Sequence, residues 1–152
     1  MILVAVLAGA GWLILRARAR GGAQTAPKAP IPTGPFEVAL ARLAEMEQAS
    51  IASGNGVVPL FGDVAELVRG TLIDIGALPH QGLTTPEVPE RLPLSFGAGD
   101  LADRCASLLH DADLVKFARV KPDRLAATSH VAHARTLLEA WRDRAGATHA
   151  VR

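Results

Sequence analysis

Tyrosine is missing from this chain of 152 residues, aromatic residues of every kind make up only 4% of it, and cysteine occurs once, at Cys105. A lone cysteine excludes a disulfide framework and suits a reducing compartment. With bulky rings scarce and Ala and Leu abundant, the composition favours helices packed through small and aliphatic side chains. An excess of basic charge is also lacking. Beyond Arg20 the chain holds thirteen of its sixteen Lys and Arg against all fifteen of its Asp and Glu. That balance gives no electrostatic footprint for nucleic acid.

The first fifteen residues, Met1 to Leu15, lack charge altogether, and Arg16, Arg18 and Arg20 follow them. As a helix they would measure ~22 Å at about 1.5 Å per residue, short against a hydrocarbon core of about 30 Å. Arginine stems laid along the lipid extend the span, and Trp12 lies near the same end, where an amphipathic ring is favoured. Residues 1–20 are therefore expected to be a transmembrane anchor, with Trp12, Arg16, Arg18 and Arg20 as its membrane flank. By the positive-inside rule the rest of the chain lies in the cytoplasm. A cleaved signal peptide would carry its charge before the apolar run, the reverse of the order here. A buried core helix would need a polar face that this run does not have.

Residues 21–35 contain Pro27, Pro30, Pro32 and Pro35 among glycines and almost no large apolar side chain, the composition of a linker. Residues 36–146 are long enough for one core and not two. Their spacing predicts an all-α domain of about five helices. The first runs from about Pro35 to Ser50 with Phe36, Leu40, Leu43 and Met46 inward. The second runs from about Val58 to Ile75 and ends at Gly76. A short third opens with a capping box, in which Thr84 and Glu87 exchange hydrogen bonds, and stops near Leu92 before Pro93. Asp100 caps the fourth, which turns Leu101, Cys105, Leu108 and Leu109 inward and is expected to kink or be briefly interrupted at Asp111 to Asp113. Leu114, Val115, Phe117 and Ala118 form an apolar knot interrupted by Lys116. The last helix runs from Pro122 or Asp123 to about Arg144, burying Leu125, Val131, Ala134, Leu137, Leu138 and Trp141. Residues 147–152 are expected to fray beyond Gly146.

Candidates for chemistry are few. His130 and His133 stand three apart on one helix, and with His110 they are the basis of the alternative function, a small helical metal-binding protein or enzyme. Zinc needs at least three protein ligands, and no supporting motif such as H-E-x-x-H is present; the plainer expectation is an exposed pair of polar residues. Cys105 occupies an apolar helical position, where a small buried hydrophobe is expected rather than a nucleophile. Gly54-Asn55-Gly56 lacks the strand and the Gly-Lys ending of a phosphate loop. A helix-turn-helix built at Thr84 would lack a basic recognition helix. No catalytic residue, cofactor site or metal site is assigned. The segment Asp113 to Arg119 packs charged and apolar residues tightly, and Asp113, Lys116, Phe117 and Arg119 are expected to form a partner-binding surface in which Lys116 pairs with an acid such as Asp113.

Three motifs in this order carry a family resemblance: Leu67-Val68-Arg69-Gly70-Thr71-Leu72, then Thr84-Thr85-Pro86-Glu87, then Leu108-Leu109 with Asp113-Leu114-Val115-Lys116-Phe117-Ala118. Behind an apolar, basic-flanked leader, the chain resembles the cytoplasmic tails of BatD-like aerotolerance proteins and the small anchored proteins encoded beside them, over about Pro35 to Trp141. It departs from them at Thr71, where the family has tyrosine, and it does not contain their large extracytoplasmic β-domains. The resemblance implies a non-enzymatic, single-pass component of the bacterial inner membrane. Its partners would be a MoxR-type AAA+ ATPase and von Willebrand factor A-domain membrane proteins. No catalytic residue comes with it.

Overall fold

A computed structural model describes residues 34–53, 56–80 and 82–150. The expected anchor, with Trp12, Arg16, Arg18 and Arg20, lies outside the described residues, as does almost all of the expected linker. The described residues belong to one unit, Pro32–Arg152, and contain helices and no strand: α1 (Pro35–Ser53), α2 (Val57–Asp74), α3 (Glu87–Arg91), α4 (Leu94–Gly97), α5 (Leu101–Phe117) and α6 (Arg124–Ala150). No described helix is long and apolar enough to cross a membrane.

Four long helices make the body, and α2 is its centre, packing against α1, α5 and α6. Periodicity explains why. Leu60, Phe61, Val64, Val68 and Leu72 recur at steps of one, three and four, and all are buried. Leu43 from α1, Leu108 and Leu109 from α5, and Leu137, Leu138 and Trp141 from α6 close on that stripe and are fully buried. The short helices α3 and α4 pack on α5, and α4 also reaches α6. There Trp141 donates its indole N–H to the Phe96 carbonyl at 2.8 Å, and Arg144 donates to the Ala98 carbonyl at 2.9 Å. Glu47 accepts from Arg135 at 2.9 Å, joining α1 to α6.

Helix ends depart from expectation in instructive ways. Gly76 does end α2, in the left-handed region at φ 72°, with the amides of Ala77 and Leu78 both donating to the Leu72 carbonyl. Gly146 stops nothing: α6 continues through it to Ala150, so the expected frayed tail is helical as far as that residue. Helix α5 runs through Asp111 to Asp113 without interruption, with Ala112 buried between them and both acids half-buried. Asp100 precedes α5 but forms no side-chain cap, its carboxylate lying 3.8 Å from Arg104. Asp123 does cap α6, accepting from the Ala126 amide at 2.7 Å. The helix α4 was not expected at all.

At the end of α5 the amide of Val120 reaches back to the Leu114 carbonyl, and Arg119 takes the left-handed conformation at φ 54°. This is the place that Gly76 fills after α2. A side chain there costs roughly 1–2 kcal/mol. Replacing Arg119 by Gly should therefore raise the unfolding free energy by about 1 kcal/mol after allowance for the freer unfolded chain. Urea titration checks this, and a loss of stability would show that the arginine side chain makes up for the strain.

Candidate functional site

The outer face of α2 is left uncovered between α1 and α5, which creates an open groove of about 1280 Å³. Its floor is built from α2: Gly62, Asp63, Glu66, Gly70 and Asp74. One wall is the exposed side of α1, with Val38, Arg42, Glu45 and Met46; the other is α5, with Ala112, Asp113, Lys116 and Phe117. Thr84 and Thr85 close one stretch of the rim. Five acids and three bases line the groove, so it is acidic on balance. Apart from chain neighbours and the backbone of α2 itself, neither Gly62 nor Gly70 has an atom within 4 Å of where a Cβ would stand. Packing inside the domain therefore does not require these glycines, yet each lowers helix stability by up to about 1 kcal/mol relative to Ala. Their effect is to keep the floor low and the backbone accessible.

Arg69 holds the rim in place. Its guanidinium donates to the Leu83 carbonyl and to the Thr85 hydroxyl, both at 2.8 Å. The turn that follows is tied by Glu87, whose carboxylate accepts from the Thr84 amide at 2.7 Å and from its hydroxyl at 2.6 Å. Only half of the expected capping box forms, because the Glu87 amide donates to the Thr84 carbonyl rather than to its hydroxyl. The Thr84 side chain, then its amide, holds the Glu87 carboxyl below its ordinary value.

The structure divides the expected partner surface. Asp113, Lys116 and Phe117 line the groove together with Thr84; Arg119 and Glu87 do not. Lys116 forms no ion pair with Asp113; its ammonium lies over the Phe117 ring, 5.2 Å from the centroid. The apolar knot faces outward except for Val115, since Leu114 and Phe117 are exposed. The role of Arg69 was not anticipated. It stands four residues after buried Ala65 and three before buried Leu72, and a cation bordering an apolar stripe in this way is the signal that could have revealed it.

The three histidines do not converge. His110 is exposed, His133 is half-buried, and no group of three His, Cys, Asp or Glu among the described residues could hold a metal. His130 overturns the expectation of an exposed pair: it is 4% exposed and stacks on Phe61 with ring centroids 4.1 Å apart. Neither of its ring nitrogens has a hydrogen-bond partner, and the Phe61 backbone, which slightly favours protonation, does not reach bonding geometry. Burial lowers its pKa to about 4, against the opposing pull of Asp111. Burial likewise pushes the Cys105 thiol up to about 12, leaving on the order of one thiolate in 10⁵ at neutral pH.

A smaller hollow of about 130 Å³ lies between α1, α2 and α6, bordered by Glu47, Leu60, Arg124 and Val131. Comparison with protein families, with curated proteins and with solved structures finds no match to this chain.

Proposed function

We propose that this chain is a membrane-anchored adaptor without enzymatic activity, whose groove over α2 receives an amphipathic helix from a protein partner. Residues 1–20 would hold the domain at the cytoplasmic side of a bacterial inner membrane, and residues 21–35 would tether it. The observation that carries the proposal is the convergence of all three resembling motifs on one groove. Arg69 and Gly70 come from the first, Thr84 and Thr85 from the second, and Asp113, Lys116 and Phe117 from the third. Bare glycine backbone on the floor admits a helix at close range, and the acidic balance selects one whose polar side is basic. Tethering at the bilayer raises the effective concentration of such a surface, so a weak contact suffices. The BatD-like resemblance supplies the partner class, a MoxR-type AAA+ ATPase and von Willebrand factor A-domain proteins.

Side chains placed on the groove floor test this directly. In a pull-down of the full chain from membranes, Gly62→Leu with Gly70→Leu should reduce recovery of the ATPase or the A-domain proteins about tenfold or more. Helicity should hold or improve, since Leu is the better helix former. Unchanged recovery of those partners removes the groove from consideration. Recovery of neither from the native chain removes the partner class.

A further inference from the structure

Seven large apolar side chains are exposed among the described residues, and four of them, Leu114, Phe117, Val120 and Leu125, fall between positions 114 and 125. This stretch is the end of α5, the turn and the first residues of α6. Phe117 and Leu125 are the barest of the four, at 71% and 74% exposure. The same stretch holds five charged residues, of which Lys116, Arg119, Lys121 and Arg124 are cations. Its one acid, Asp123, is occupied in capping α6. Lys116, Arg119 and Lys121 form no ion pair with any described residue. Arg119, Val120, Lys121 and Leu125 line neither the groove nor the smaller hollow.

We infer that this turn is a second membrane contact, a basic and apolar tip that rests in the headgroup region of an anionic bilayer. The chemistry of the tip favours lipid over a protein partner. Apolar side chains interleaved with cations on a projecting turn match a surface that is negative outside and hydrocarbon beneath. Moreover, a cation occupies the left-handed position after α5 although glycine, used after α2, would relieve the strain; backbone strain retained in this way points to a use for the side chain. The inference rests on the anchor proposed above and not on the groove: Lys116 and Phe117 also line the groove, while Arg119, Val120, Lys121 and Leu125, which do not, carry the tip.

The test uses the full chain in lipid nanodiscs, with a polarity-sensitive dye attached at Leu125→Cys. Cys105 is fully buried and does not compete for the label. A second variant, labelled at Leu94→Cys, is the control. Leu94 is exposed beside the other end of α5, a helix length of ~25 Å away at about 1.5 Å per residue. In discs of phosphatidylcholine with phosphatidylglycerol, the dye at position 125 should shift to the blue, and in phosphatidylcholine alone it should not. The dye at position 94 should not respond to either lipid. Arg119→Gln with Lys121→Gln should lower the lipid-touching population roughly thirtyfold. Equal emission at position 125 in both lipids overturns the inference, and so does an equal shift at position 94. A chain that enters neither kind of disc overturns it as well. Loss of partner recovery on changing the groove floor bears only on the groove.

Discussion

Trp141→Ala should lower the unfolding free energy by about 3–5 kcal/mol, the range for truncating a large buried aromatic. The indole is fully buried, and its N–H donates to the Phe96 carbonyl at 2.8 Å. The substitution therefore opens a cavity between α4, α5 and α6 and removes the donor from a partly buried carbonyl. Trp141→Phe separates the two contributions. It keeps most of the apolar contact and loses the donor, so it should cost only about 1–3 kcal/mol. Urea unfolding followed by circular dichroism measures both. A cost below about 1 kcal/mol for the alanine variant would mean that α4 does not close this end of the core.

His130 has the opposite character, because removing it should stabilise the protein. A buried polar group without a partner costs about 1–3 kcal/mol, and here both ring nitrogens are in that position. His130→Leu should therefore raise stability by about 1–3 kcal/mol at pH 7. Its pH dependence follows from the lowered pKa, about 4 in the folded state against 6.5 as the ordinary value. Below pH 6.5 the unfolded chain binds a proton that the folded one refuses, so stability is lost as pH falls toward 4. Between pH 7 and pH 5 the loss from this residue is about 2 kcal/mol. His133, held low by partial burial and by Arg104, adds to the same trend. Glu87 contributes in a lower window, its stabilisation fading only as pH drops below the ordinary carboxyl value of 4.5. Unfolding curves at pH 7 and pH 5 should therefore separate clearly for the native chain and much less for His130→Leu. Equal separation would place the acid sensitivity elsewhere.

The two histidine outcomes have one geometric origin. In α6 the buried positions Ala127, His130, Val131, Ala134, Leu137, Leu138 and Trp141 form a single stripe at steps of three and four. His130 belongs to that stripe by position, and Leu125, two residues before Ala127, lies about 200° away around the helix. Spacing therefore carried the information that polarity obscured: the histidine goes inward and the leucine outward. The same holds at helix ends. Gly76 and Gly146 have identical chemistry, yet only Gly76 meets the left-handed turn that requires it, while Arg119 adopts that turn without being glycine. Glycine makes a stop possible and does not impose one, because a cost of about 1 kcal/mol is small beside the packing of a whole helix.

The four long helices, the main apolar stripes and the Thr84 to Glu87 turn were legible in the residues alone, because each depends on contacts no more than four positions apart. The groove was not. Its floor, walls and rim come from α2, α1, α5 and the turn near Thr84, and no periodicity states which faces of separate helices will be left uncovered. Arg69 shows the same division: its place beside an apolar stripe is a local fact, while its bonds to Leu83 and Thr85, fourteen and sixteen residues away, exist only once the chain has closed. Local order follows from a backbone that repeats every 3.6 residues. Which surfaces meet follows from burying those repeats against one another, and that is decided by the whole domain at once.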